Sequence, residues 1–174
     1  MASLIPGQLT PIGDHAWRVL ARNPGMMTGP GTNSYLFGKE SLTVIDPGPE
    51  DQEHLQALLQ ASRTLGKPID QIIVTHTHRD HSPGALALVA ATGARCLGPA
   101  VPDDGLQDES WQSDRLLGEG DRVDCGGVIH TLLERSMIRI LGRRDVVGKP
   151  IVYGTTPQFL EHFGFKSLTD MPNP

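Results

Sequence analysis

The stretch Ile69 to Val74, followed by Thr75-His-Thr-His-Arg-Asp-His-Ser-Pro-Gly84, constrains this chain more than any other. Ile69 to Val74 is rich in β-branched residues, which suits a strand buried on both faces of a sheet. At its C-terminal edge four ligating side chains, His76, His78, Asp80 and His81, fall within six residues. Ligand loops belong at that edge in α/β sheets. Imidazole and carboxylate are donors that a borderline cation such as Zn²⁺ accepts, and a two-metal site can activate water between its ions. In an extended segment His76 and His78 point the same way and can chelate one ion, while a turn at Arg79 lets Asp80 and His81 face a second. The alternative, histidines gathered by chance in a polar loop, is disfavoured by the rarity of His-x-His-x-Asp-His and by its setting between Ile-Ile-Val and Ser-Pro-Gly.

Around this cluster the chain alternates strand and helix signals. His15 to Leu20 and Asn33 to Phe37 read as short strands separated by the Gly/Pro-rich turn Asn23 to Thr32, and Ser41 to Ile45 as a strand stopped by Asp46-Pro-Gly-Pro49. Glu50 to Leu65 carries Leu55, Leu58, Leu59 and Ser62 at helical spacing, with acids in its first turn and Gly66 beyond its end. Pro83 to Thr92 predicts a small-residue helix, Ala94 to Leu97 a strand, Asp103 to Asp114 a polar surface loop and Arg115 to Val123 a turn-rich strand pair. From about Val128 the texture changes. Ile129, Leu132, Leu133 and Ser136 or Met137 give a helical face, Met137 to Leu141 a strand, Arg143 to Lys149 a charged hairpin tip, Ile151 to Tyr153 the returning strand and Pro157 to Phe163 a helix. Helix, strand, basic loop, strand and helix is the outline of a winged-helix fragment.

Charge separates the same two regions: residues 1–128 hold 9 Lys/Arg against 16 Asp/Glu, and residues 129–174 hold 6 against 4. The overall charge of −5 gives no electrostatic reason for unspecific binding to nucleic acid or anionic membranes. Cys96 and Cys125 are too few for a disulfide framework and read as reduced thiols. The N-terminus has no signal-peptide pattern and no stretch approaches the ~20 apolar residues of a membrane span, so the cytoplasm is the expected location.

Gly29-Pro-Gly-Thr-Asn-Ser-Tyr-Leu36, Val44-Ile-Asp-Pro-Gly48, Ile73-Val-Thr-His-Thr-His-Arg-Asp-His81 and Leu117-Gly-Glu-Gly-Asp121 together resemble the metallo-β-lactamase superfamily, of the β-lactamase-like-2 type, over residues 7 to 123. The resemblance implies the N-terminal half of an αβ/βα sandwich and one or two zinc ions. His76 and His78 would hold the first ion and Asp80 and His81 the second, with Asp80 the catalytic group that orients the attacking nucleophile. Asp46 matches a family aspartate that braces the metal loop, or is simply the turn residue before Pro-Gly. The implied activity is hydrolysis of an ester, thioester, lactone or phosphodiester. The family draws further ligands from a later Pro-Gly-His segment, a later aspartate and a final histidine, yet no Pro-Gly-His follows Gly84 and only His130 and His162 lie downstream. A truncated, weak or inactive hydrolase is therefore expected, with apolar sheet surface left uncovered.

Val123 to Arg135, Ile138 to Asp145, Gly148-Lys-Pro-Ile-Val-Tyr-Gly-Thr-Thr-Pro157 and Phe159 to Leu168 resemble segregation and condensation protein B, ScpB, over residues 123 to 172. That resemblance implies a non-enzymatic winged-helix module contacting a kleisin subunit and the SMC ATPase, the alternative function for the chain. Arg139, Arg143, Arg144 and Lys149 read as a solvated basic hairpin or as a DNA-contacting wing. The expected domains are residues 1–122 and 123–174, abutting without a Pro- or Ser-rich linker, as in a fusion of two fragments.

Overall fold

In a computed structural model, residues 4–105, 107–118, 121, 123, 138–143, 151–155 and 157 are described. The chain divides into two compact units, Met1–Gly126 and Gly127–Pro174. The first holds a seven-stranded sheet in sequence order: β1 (Thr10–Gly13), β2 (Ala16–Leu20), β3 (Asn33–Phe37), β4 (Leu42–Ile45), β5 (Ile69–Ile73), β6 (Arg95–Gly98) and β7 (Arg115–Leu116). Strands β1 to β4 pair antiparallel, and β4 to β7 pair parallel. Parallel neighbours need crossovers, which α1 (Gln52–Leu65) and α2 (Gly84–Thr92) supply. Two successive right-handed crossovers in one direction place both helices on the same face, where they pack together.

Helix α1 begins where the Asp51 carboxylate accepts the Glu53 and His54 amides, and stops where Gly66, at φ +66°, turns into the left-handed region. Its buried face is His54, Leu58 and Ala61, with Leu55 and Leu59 half-buried at the margins. The leucine spacing predicted the helix but put the centre of its face one residue late, because His54 buries as fully as a leucine. The layer between sheet and helices contains Val19, Leu36, Val44, Ile72, Val74 and Cys96 against Leu58, Ala61, Ala85 and Leu88.

On the opposite face Thr43 and Gln71, register partners, hydrogen-bond to each other, and Tyr35 stacks at 6.2 Å on Phe37. Phe37 and Leu97 are buried there, and among the described residues the large exposed apolar side chains are Leu4, Ile5, Met26, Met27, Leu86, Val101 and Leu116. Tyr35, Ile45 and Ile73 on this face are only half-buried, so the described sheet surface is mixed, partly polar and partly apolar.

In the second unit β8 (Ile138–Arg143) and β9 (Ile151–Thr155) pair antiparallel, with a register shift between Ile140 and Gly142. The helix expected over 129–137, that over 157–163 beyond its first residue, the basic tip beyond Arg143, Cys125, His130 and His162 lie outside the described residues. No helix among the described residues is long and apolar enough to cross a membrane.

Leu58 is 1% exposed at the centre of the α1 contact, whereas Leu86 on α2 is 64% exposed. Leu58→Ala is expected to destabilise the N-terminal unit by about 2–5 kcal/mol through transfer and cavity terms, and Leu86→Ala by no more than about 0.5 kcal/mol. Urea unfolding of the two variants followed by tryptophan fluorescence checks the contrast.

Candidate metal centre

The parallel registers Val44↔Ile72 and Ile72↔Cys96 bring the C-terminal ends of β4, β5 and β6 to one edge. Asp46 leaves β4 there at φ +51°, a left-handed conformation that aspartate tolerates at some cost. Its amide donates to Ile73 O at 2.8 Å. Its carboxylate accepts the Thr75 amide at 2.8 Å and the Thr75 hydroxyl at 2.8 and 3.0 Å. Asp46 therefore braces the end of β5. The hydroxyl has a single proton, committed to Asp46, so its 3.0 Å contact with His76 Nδ1 requires that nitrogen to donate. His76 Nε2 is left as the free base, the form that binds a cation.

The loop then folds back on itself. The ring centroids of His76 and His78 lie 4.6 Å apart, and those of His76 and His81 4.1 Å. His81 sits between two carboxylates, with Nδ1 3.0 Å from Asp46 Oδ2 and Nε2 3.2 Å from Asp80 Oδ2. The first is a close charge contact rather than an aligned hydrogen bond, since Nδ1 has no partner of good hydrogen-bond geometry. Burial alone would lower the His81 pKa, but contact with Asp46 and the charges of Asp46 and Asp80 outweigh it and hold it above the ordinary value. His76 moves the other way, lowered first by burial and then by His81 and His78 against the pull of the carboxylates.

All four sequence-predicted ligands are thus brought together. Their rings pack edge-on and tilted rather than aiming at one point, and among the described residues no group of three or more His, Cys, Asp or Glu side chains is arranged to hold an ion. The donor chemistry fits zinc: soft-to-borderline nitrogens, one carboxylate and a free Nε2 on His76. His130 and His162, the downstream histidines, lie outside the described residues.

Three supports escaped the sequence pattern. The segment from Asp103 to Asp114 is mostly exposed, as its polarity predicts, but Gln107, Asp108 and Trp111 within it are buried. Thr77 Oγ1 donates to Gln107 Oε1, Asp108 N to Thr77 O, and Ser82 Oγ to Asp108 Oδ2, each at 2.7 Å. Gln107 and Asp108 bury here because their groups satisfy the histidine loop's own backbone and hydroxyls. The tryptophan amid polar residues was the available signal. A second support is Gly84, where a Cβ would stand 2.6 Å from Pro47 O; the glycine lets the loop close onto the turn after β4. The third is His54.

Ser34 Oγ donates to Asp46 O, so it must accept Nε2–H from His54 at 2.8 Å, which makes Nδ1 an unprotonated buried acceptor.

Over the N-terminal region the structure superposes on solved metallo-β-lactamases. A subclass B3 enzyme from a soil metagenome library gives TM-score 0.55 at 20% identity, covering 71% of this chain and 50% of that one. The enzyme MIM-1 from Novosphingobium pentaromativorans gives 0.53 at 24%, covering 71% and 49%. At such identities the likeness establishes the fold. The signature of the segregation and condensation complex subunit ScpB matches residues 121–174. The chain joins a metallo-β-lactamase fold to a segment that matches the ScpB signature. Segregation and condensation protein B of Syntrophotalea carbinolica is 52% identical over 50 residues, 29% of this chain and 25% of that protein. That of Geobacillus kaustophilus is 33% identical over 104 residues, 58% and 48% respectively. The chain therefore spans a quarter to a half of these ScpB relatives and about half of each metallo-β-lactamase.

Burial pushes His54 down from 6.5 to about 4, partly offset by Asp51. Its folded form is neutral, so this contribution is complete above pH 6.5 and is lost as pH falls through the window between 6.5 and about 4. Over that window wild type should lose roughly 1.4 kcal/mol per pH unit more than His54→Gln, which urea midpoints measured at intervals from pH 7 to pH 4.5 will show.

Proposed function

We propose that the N-terminal unit is a zinc-binding module of the metallo-β-lactamase fold with hydrolase chemistry, in which His76 and His78 take one ion and Asp80 and His81 a second. The observation that supports it is the clustering of three imidazoles and the Asp80 carboxylate in one loop at the end of β5, with the His76 tautomer leaving Nε2 free. Bound zinc would supply Lewis acidity toward an ester, thioester, lactone or phosphodiester and lower the pKa of a coordinated water. Asp80 is the residue that orients the attacking water, and Asp46 keeps His81 in place beside it. The loop offers two donors per ion, fewer than zinc prefers, so metal uptake should outlast turnover: this chain is a weak hydrolase at most. The functional boundary is placed between residues 122 and 123, and the cytoplasm is the proposed location.

The protein should retain zinc after dialysis against buffer, and His76→Ala combined with His78→Ala should remove most of it. Zinc content measured by atomic emission on both proteins decides the matter. A wild type without zinc, or a double variant that keeps it all, sinks this reading.

The ScpB signature over residues 121–174 supports a second function, contact with a kleisin subunit of an SMC complex. Immobilised kleisin should retain the whole chain at micromolar concentration and release it when residues 123–174 are deleted. Equal retention of the whole and shortened chains, or none of either, would remove this function from consideration.

A further inference from the structure

We propose that Thr32, clamped by Asn23, is a positioning residue that determines which oxygen of Asp80 is offered to a metal ion, an inference that rests on the metal site proposed above. Thr32 is 5% exposed and lies 48 residues from Asp80 in sequence, yet its Oγ1 is 3.0 Å from Asp80 Oδ2. The direction of that bond follows from the groups around it. The Thr32 amide, which can only donate, is 2.8 Å from one atom of the Asn23 amide, so that atom is Oδ1. The other atom, 3.0 Å from Thr32 Oγ1, is then Nδ2, a donor. Thr32 Oγ1 must accept from it, and its single proton is left for Asp80 Oδ2.

Asp80 Oδ2 thus receives the Thr32 hydroxyl and faces His81 Nε2 at 3.2 Å, while Oδ1 carries no such contact among the described residues. The carboxylate is held with one oxygen occupied and the other presented. The clamp is itself built in. Thr32 O accepts the Ala21 amide at 2.9 Å, Thr28 Oγ1 donates to Asn23 O at 2.6 Å, and Gly25 and Gly29 bridge the loop above. Gly31, at φ +144°, lets the chain pass Ala21 O where a Cβ would come within 2.1 Å. The Gly29-Pro-Gly-Thr-Asn33 segment therefore presents a hydroxyl to the metal loop from a fixed backbone.

Equilibrium competition for zinc against a chromophoric chelator, with cobalt(II) absorption as a second readout, tests this on the full chain. Thr32→Val, which keeps the shape and removes the hydroxyl, should weaken the affinity of the Asp80 site about tenfold or more and shift the cobalt bands. Thr32→Ser should restore both. If Thr32→Val does not fold, Asn23→Asp replaces the Nδ2 donor with an acceptor and turns the hydroxyl proton away from Asp80. Its zinc affinity should fall despite the added negative charge, which alone would tighten cation binding. Unchanged affinity and cobalt bands in Thr32→Val, or unchanged or tighter binding in Asn23→Asp, overturns the proposal. Loss of zinc in His76→Ala with His78→Ala, alongside an unaffected Thr32→Val, would leave the metal site standing and remove only the role of Thr32.

Discussion

The Asp46 carboxylate ties the end of β4 to the end of β5 through Thr75 and also confronts His81, so the position of the whole histidine loop depends on it. The side chain can reach both because its backbone has left the strand at φ +51°. That conformation is disfavoured, and the surroundings over-determine it: Ile73 O takes the Asp46 amide, Ser34 takes its carbonyl and Thr75 takes its carboxylate. His54, three residues into α1, completes the support by giving its Nε2 proton to Ser34. A helix that buries apolar surface on the sheet thereby also fixes the residue that shapes the loop at the sheet's edge.

Two further segments hold the loop from its other sides. Gln107 and Asp108 take its inner hydroxyls, and Thr32 takes Asp80. Both come from stretches with no regular secondary structure, yet their polar groups are satisfied by the loop rather than by water, which is why they can be buried at all. His81 lies in a field of two carboxylates that favours positive charge at that point, whether a proton or a metal ion carries it. A proton and a cation would compete for the same electrostatic environment, so the proposed metal uptake there would be linked to proton release.

The ScpB-like segment stands apart in its chemistry. Residues 129–174 carry a slight positive balance against the acidic N-terminal region, and their described part is an antiparallel hairpin. Each unit's described structure follows from its own residues, and each suggests a function in a different class.

Much of the fold and of the histidine loop was legible in the sequence because both rest on local chemistry. The run Ile69 to Val74, the capped leucine pattern from Asp51 to Gly66 and the spacing of His76, His78, Asp80 and His81 each act within a few residues, so strand, helix and the clustering of these side chains in one loop could be read directly. What sequence could not supply were bonds between residues far apart in the chain. The pairings of Thr32 with Asp80, Ser34 with His54 and Thr77 with Gln107 span 48, 20 and 30 residues. Polarity marked the segment from Asp103 to Asp114 as surface, which most of it is, but only packing against the histidine loop buries Gln107 and Asp108 within it. A sequence by itself determines which side chains a strand end can present; the tertiary fold decides which distant groups meet them, because a buried hydrogen bond needs a partner that only folding brings within 3 Å.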